Sequence, residues 1–315
     1  MLIRPASRHV RDFICDSRNW DNYRPRAGDV VVATAPKVGT TWTQRIVSLL
    51  IFQTPEPRPI GPPVSPWIDC RFQIPIEVAL GIIEGQQHRR FLKSHLPFDA
   101  LPVYDEVRYI HVGRDPRDAC TSFMDHFNNF TADAWADVDR VGLGDPTIGR
   151  TMPRPPKTTR EFFDYWLDEG NRQGAPMADM FFRIERSYWE ERQRPNLLMV
   201  HYNDLKADLA GEMRRIADFL EIEVAQTLWP ALIDAATFAT MKRDGAVVLE
   251  GMEHAFRGGY ETFLNKGTNE RWRGVLTEAD LARYAARLAT ETTPALAQWL
   301  AEGRRNGGDP AVAPD

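Results

Sequence analysis

Cysteine is scarce in this chain: Cys15, Cys70 and Cys120 are all that 315 residues hold. An odd number at wide spacing makes neither a disulfide framework nor a metal-ligand pattern, and it suits a reducing, cytoplasmic setting. Metal signatures are missing as well, with no His-Glu-x-x-His and no Cys-x-x-Cys in the sequence. No apolar run approaches the ~20 residues that span a bilayer, so no membrane partner is expected. Met1 to Trp20 carries Arg and Asp and has no apolar core, which excludes a secretory leader. Charge of either sign is not in large excess: the formal net charge of −5 argues against a nucleic-acid partner, though not against a local cationic pocket for one anionic ligand. The Walker order, Gly-x4-Gly-Lys-Ser/Thr, is also absent. Were Gly39 its second glycine, the first would fall at Thr34, and Lys37 precedes Gly39 instead of following it.

A hydrophobic content of 43% with 26% charged residues is that of a globular protein, and the length allows one large α/β domain or two domains. Apolar strand-like runs alternate with helical periods. Val30–Ala35, Phe91–Ser94, Val107–Val112 and Asn196–Val200 read as strands. Helical pattern follows each, at once or after a loop, which implies βαβ crossovers and a parallel sheet covered on both faces. Asp115-Pro116 is an N-cap followed by proline at the first helical position. After Asp204 the apolar residues Leu205, Leu209, Met213, Ile216, Ala217 and Leu220 recur at helical spacing. Thr159–Trp166 and Leu276–Leu300 also read as helices. Thr54–Pro66 reads as a Pro-rich surface loop, residues 241–273 as a long lid-like loop, and residues 307–315 as a disordered tail.

The most informative segment is Pro36-Lys37-Val38-Gly39-Thr40-Thr41-Trp42, set between the first strand and a helical run from Thr43 to Phe52. A helix N-terminus offers unpaired N–H groups and a positive dipole end to an anion. Gly39 lets the backbone approach a ligand, Lys37 adds a cation, and Thr40 and Thr41 add hydroxyls. An ordinary strand-to-helix turn would need neither the lysine nor the glycine. A second anchor follows the third strand: Arg114 stands at its C-terminal end, where open parallel sheets bind ligands, and Ser122 lies about two helical turns on. Either residue alone reads as an exposed arginine or a helical serine; as a set with the first loop they read as an anion site.

The first loop resembles the phosphosulfate-binding loop of cytosolic-type sulfotransferases, Pro-Lys-Ser-Gly-Thr-Thr-Trp, with Val38 in place of the serine. Arg114-Asp115-Pro116-Arg117-Asp118-Ala119-Cys120-Thr121-Ser122 resembles that family's 3′-phosphate motif, with Arg and Ser in register. Lys93-Ser94-His95-Leu96-Pro97, Tyr202-Asn203-Asp204-Leu205-Lys206 and Asn265-Lys266-Gly267 through Trp272 resemble three further family segments, in the same order. In the last, Asn265 replaces an arginine and Glu270-Arg271 replaces Gly-Asp, which weakens one charge contact that Arg257, Arg271 or Arg273 is left to supply. The family's dimerisation stretch is not matched, so the oligomeric state stays open.

The resemblance implies a single α/β domain over 1–306, with a central, mostly parallel sheet flanked by helices in the P-loop-like sulfotransferase fold. It implies transfer of a sulfuryl group from 3′-phosphoadenosine 5′-phosphosulfate (PAPS) to a small-molecule acceptor hydroxyl, leaving adenosine 3′,5′-bisphosphate (PAP), with no metal. His95 is the expected general base, since an imidazole titrates near neutral pH. Lys37 is the expected cation for the leaving group, Lys93 for the moving sulfuryl, and Ser122 the restraint on Lys37. Tyr202, Lys266 and Gly267 join the loop residues and Arg114 as nucleotide contacts, with Trp42, Thr237 and Phe238 at adenine. Phe13, Trp67, Phe72, Phe123, Phe127, Phe162 and Tyr165 are the expected lining for a flat phenol or other small apolar alcohol. His126, next to Phe127, reads as a solvated helix position, with orientation of the acceptor as the alternative, and His111, His9, His88 and His254 are assigned to structural roles. Two rival readings are a kinase or ATPase, which needs the absent Gly-Lys-Thr order, and a non-catalytic nucleotide-binding module, which needs no base.

Overall fold

A computed structural model describes residues 1–314. Six strands form: β1 Leu2–Arg4, β2 Val30–Ala33, β3 Phe91–Ser94, β4 Val103–Tyr104, β5 Arg108–Gly113 and β6 Leu197–His201. Four of them make one sheet in the order β3-β2-β5-β6, parallel throughout, with Val32 opposite both Lys93 and Ile110, and Gly113 opposite His201. β1 and β4 pair apart from it as an antiparallel couple. Val30 to Ala33 are wholly buried, as a strand covered on both faces by crossover helices must be. The chain leaves β2 for one edge of the sheet, then returns to β5 on the other side. The reversal places the loops after β2 and β5 side by side at the C-terminal edge, the crevice where open sheets take ligands.

The helices that position the site are α1 Thr40–Phe52, α2 Pro116–Asn128, α3 Met177–Trp189 and α4 Leu209–Phe219. α2 starts where the Asp-Pro signal places it, the Asp115 carboxylate accepting from Arg117 N. The run after Asp204 is two helices, because Asp208 caps a second one by accepting from Gly211 N.

Three expectations need correction. Residues 241–273 are not one long loop: Phe238–Arg243, Gly245–Val248, Met252–Ala255 and Gly259–Phe263 are short helices, and only 264–273 runs without regular structure. Leu276–Leu300 is not one helix but α5 Glu278–Glu291 and α6 Pro294–Glu302, because Thr293 caps a new start and Pro294 has no N–H to continue the old one. The tail is not loose over its described part, since Arg192 donates to the carbonyls of Pro310 and Ala313, both at 2.9 Å; Asp315 lies outside the described residues.

Candidate active site

The loop after β2 turns sharply through two left-handed residues, Lys37 at φ 68° and Gly39 at φ 116°. A side chain at Gly39 would be strained and would put its Cβ 3.0 Å from the Tyr202 ring. The first bond of α1 runs from Thr43 N to Gly39 O at 3.0 Å, which leaves the N–H groups of Thr40, Thr41 and Trp42 without intrahelical partners. Thr34 donates its hydroxyl to the Ala35 carbonyl at 2.8 Å, so Thr40 is the donor in their 2.6 Å contact. Val38, expected among the nucleotide contacts, is wholly buried and does not border the cavity, because its side chain packs into the core beneath the loop.

Arg114 follows β5 at once and reaches across to that loop. It donates to the Lys37 carbonyl and to Asn269 Oδ1, both at 3.0 Å, and its guanidinium lies 4.1 Å from the centre of the Tyr202 ring. Burial pulls its pKa below the ordinary value, and its buried Nε has no partner among the described residues. Lys266 makes no ion pair among the described residues, and the Gly267 carbonyl accepts from Lys206 Nζ at 3.0 Å. A cation cluster with spare donors beside a helix N-terminus is a site for a polyanion.

Trp42 is fixed by its indole N–H on the Ala236 carbonyl at 2.7 Å and meets Tyr202 edge to face at 5.5 Å. Phe238 also lines the cavity. Thr237 does not: its hydroxyl accepts from Thr240 N and donates to the Asp234 carbonyl, capping the helix that begins at Phe238. Of the arginines left to replace the one lost at Asn265, Arg271 lines the cavity, where it and Asn265 share the Asp125 carboxylate. Arg257 and Arg273 are exposed and turn to Asn128 O and Glu270.

His95 sits just past β3. Its Nδ1 lies 2.8 Å from the Thr34 carbonyl, so Nδ1 carries the proton and Nε2 keeps its lone pair. Burial, then the positive charge of Lys93, hold this imidazole neutral well below its ordinary range. Asp69 organises the surroundings. Its buried carboxylate accepts from His95 N at 3.1 Å, Trp67 Nε1 at 2.7 Å and Trp20 Nε1 at 3.1 Å. Trp67 in turn meets His95 edge to face at 4.8 Å, and Lys93 Nζ stands 4.1 Å from the Trp67 ring centre. Burial lowers the pKa of Lys93, and burial together with Arg114 and Lys93 brings Lys37 down to about 7.

These groups border one cavity of about 610 Å³. Lys37, Gly39, Thr40, Thr41, Trp42, Lys93, His95, Arg114, Ser122, Tyr202, Phe238, Lys266 and Gly267 all line it. So do five of the seven aromatics expected for the acceptor: Phe13, Trp67, Phe72, Phe123 and Phe127. Phe162 and Tyr165 do not. Both are core residues, Phe162 wholly buried behind Phe127 with ring centres 6.3 Å apart. The sequence reading missed Asp69, and it missed Phe130, Phe256 and Phe263 on the wall. His126 is not at a solvated helix position: it faces the cavity with Nδ1 3.4 Å from Lys37 Nζ. At the other end of the sheet, a hollow of about 370 Å³ opens between Gly28, Arg89 and Glu221.

The sulfotransferase domain family model matches residues 27–295. A glycolipid sulfotransferase of Mycobacterium bovis is 35% identical over 321 residues, with 96% of each chain covered. Luciferin sulfotransferase of Photinus pyralis is 25% identical, covering 82% of this chain and 70% of its own. Among solved structures, retinol dehydratase in complex with androsterone and the inactive cofactor PAP superposes with a TM-score of 0.66 at 22% identity, over 88% of this chain and 84% of its own. With the family model spanning most of its length and a close relative matching nearly end to end, the chain belongs to the family of PAPS-dependent sulfotransferases.

Proposed function

We propose that the enzyme transfers the sulfuryl group of PAPS in line to a hydroxyl carried on an apolar molecule, with His95 as the general base. The hydroxyl oxygen forms a bond to sulfur, the bond from sulfur to the bridging phosphate oxygen breaks, and the hydroxyl proton passes to His95 Nε2. PAP leaves with the electron pair of the broken bond. Lys37 stabilises the charge on the bridging oxygen, and Lys93 faces the sulfuryl oxygens. The 5′-phosphate rests on the N–H groups at the start of α1. Arg114, Ser122 and Lys266 serve the 3′-phosphate, and Trp42 and Phe238 hold the adenine.

The observation that carries the reading is the locked tautomer of His95. Because Thr34 O takes the Nδ1 proton, the free lone pair is on Nε2, in a cavity shared with Lys37 and Lys93. An anionic donor opposes the field of Lys93 and Lys37, which raises the basicity of His95 when both substrates are bound. A pure binding module has no use for this arrangement.

The aromatic wall supports a phenol or other small apolar alcohol as acceptor. A second reading, a sugar hydroxyl of a glycolipid, is supported by the mycobacterial relative at 35% identity. Release of PAP from the donor, followed with a panel of phenols, sterols, alkanols and glycolipids, tests both. Turnover with at least one class supports the assignment and names the acceptor; donor binding with no turnover on any of them contradicts it. A cytoplasmic, metal-independent enzyme is the accompanying proposal. No helix among the described residues is long and apolar enough to cross a membrane. Undiminished turnover in chelator supports metal independence, and loss of turnover counts against it.

A further inference from the structure

His111 and Glu185 form a polar pair that the chemistry at the sheet edge leaves unused. His111 lies in β5 and Glu185 on α3, and both side chains are wholly buried. The imidazole lies flat on the Tyr188 ring, with centres 4.0 Å apart. Its Nδ1 stands 2.9 Å from the Ala33 carbonyl, and its Nε2 stands 2.9 Å from Glu185 Oε2. A carbonyl only accepts, so Nδ1 carries a proton, and a second proton lies between Nε2 and the carboxyl. Stability alone does not ask for this pair. The other carboxyl oxygen has no partner among the described residues, and an apolar pair of similar volume would serve the core as well. What the histidine adds is a donor for one backbone carbonyl.

That carbonyl sits at a fork. β2 and β5 pair as far as Val32 opposite Ile110 and then part, while β5 continues beside β6 to Gly113 opposite His201. Ala33 has no partner residue in the β5 ladder, and the His111 ring meets its carbonyl instead. Ala33 O and Thr34 N belong to one planar peptide unit. Thr34 N donates to Ser94 O at the end of β3, at 3.2 Å, so the unit is held from both sides. The next carbonyl along the chain, Thr34 O, is the one that fixes His95 Nδ1 at 2.8 Å.

We propose that His111, backed by Glu185, is a positioning residue for His95: it pins the last peptide of β2 and thereby sets the Thr34 carbonyl that locks the tautomer of the base. The inference rests on the reading of His95 as the general base. Once the His111 donor is lost, Ser94 alone holds that peptide. The Thr34 carbonyl then turns away, and the His95 proton is no longer confined to Nδ1. A ring with its proton on Nε2 has no lone pair there to take the acceptor's proton. Turnover falls, while the phosphates keep their N–H donors at the start of α1.

The test compares two double variants that differ in a single donor. His111→Phe with Glu185→Leu makes both groups apolar and keeps a ring against Tyr188. His111→Asn with Glu185→Leu puts an amide N–H where Nδ1 stood. Three quantities are read: the His95 tautomer, PAP affinity by calorimetry, and turnover with an acceptor taken from the panel. The tautomer comes from NMR of protein carrying isotope-labelled histidine, with the His95 signals assigned by their absence in His95→Ala. The Phe variant is expected to show His95 protonated on Nε2 in a measurable fraction of molecules. Its turnover is expected to fall by about 10–100-fold, with PAP affinity within about twofold of wild type. The Asn variant is expected to return the proton to Nδ1 and turnover to within about threefold of wild type. An unchanged tautomer in the Phe variant overturns the proposal. Asn behaving like Phe also overturns it, as does a lowered melting temperature with tautomer and turnover unmoved, because either assigns the pair to packing alone. If a melting curve shows the Phe variant unfolded, His111→Leu with Glu185→Leu reads the same quantities. Undiminished turnover in His95→Ala sinks the general-base reading instead, and the tautomer then judges the positioning by itself, which keeps the two failures apart.

Discussion

PAP binding should draw a proton from solution above neutral pH, and the amount follows from Lys37. Burial, then the nearby cations Arg114 and Lys93, bring this ammonium from an ordinary 10.5 to about 7. At pH 8 the free protein therefore holds Lys37 neutral in about nine molecules of ten, and at pH 7 in about half. A bisphosphate set against it favours the charged form and restores the proton. Each binding event should take up about 0.9 proton at pH 8 and about 0.5 at pH 7. Affinity should weaken above pH 7, toward about tenfold per pH unit. His95 and His126 are held neutral in the free protein, so their own uptake belongs to lower pH and leaves the reading at pH 8 clean. Calorimetry in HEPES and in Tris gives the count from the slope of apparent enthalpy against buffer ionisation enthalpy. Lys37→Arg stays charged throughout, so its uptake at pH 8 should vanish. Binding with no proton uptake at pH 8 refutes the reasoning, and so does equal uptake in the arginine variant.

Further outcomes follow from the same geometry. His95→Ala should lower turnover by about 10²–10⁴-fold, the scale of one general base, while PAP affinity stays within about twofold; equal turnover would remove His95 from the mechanism. Asp69→Asn must set its amide N–H against at least one of the three N–H donors that this buried carboxylate now accepts, which should cost about 2–4 kcal/mol and lower the melting temperature by several degrees. An unshifted melting curve would mean that this carboxylate does not organise the site. Burial raises the Asp118 carboxyl from 3.8 to about 6, so its charged form costs folding energy. A raised acid loses stability as pH climbs from about 4 to about 6. Asp118→Asn should therefore be more stable than wild type at pH 7, by about 1–2 kcal/mol, with the gain fading toward pH 4. A gain that grows on acidification would reverse that sign and contradict it.

The sheet was legible because each parallel strand is a short run of buried apolar residues, and Val30–Ala33 has no other plausible fate. The turn after β2 was legible because Lys37 and Gly39 sit where a strand gives way to a helix, and the place of Arg114 because it follows the next strand of the same sheet. The short helices after Thr237 were not legible. Four to six residues span less than two turns, too few to display a period. The break at Thr293-Pro294 was written plainly as a cap followed by proline, and was overlooked inside a long apolar pattern. Phe162 and Tyr165 were misassigned because an aromatic residue gives no sign of which side of a helix meets the cavity. Asp69 and His126 were hidden for a related reason. Each matters through partners far off in sequence: Asp69 through Trp20 and His95, His126 through Lys37.

The central claim is that the C-terminal edge of the parallel sheet holds the nucleotide between the loop after β2 and the arginine after β5. A crystal structure with PAP tests it most directly. The account predicts the 5′-phosphate within about 3 Å of the N–H groups of Gly39 to Thr41, the 3′-phosphate beside Arg114, and adenine on Trp42. Density for the nucleotide at the opposite end of the sheet, in the hollow between Gly28 and Arg89, would contradict it.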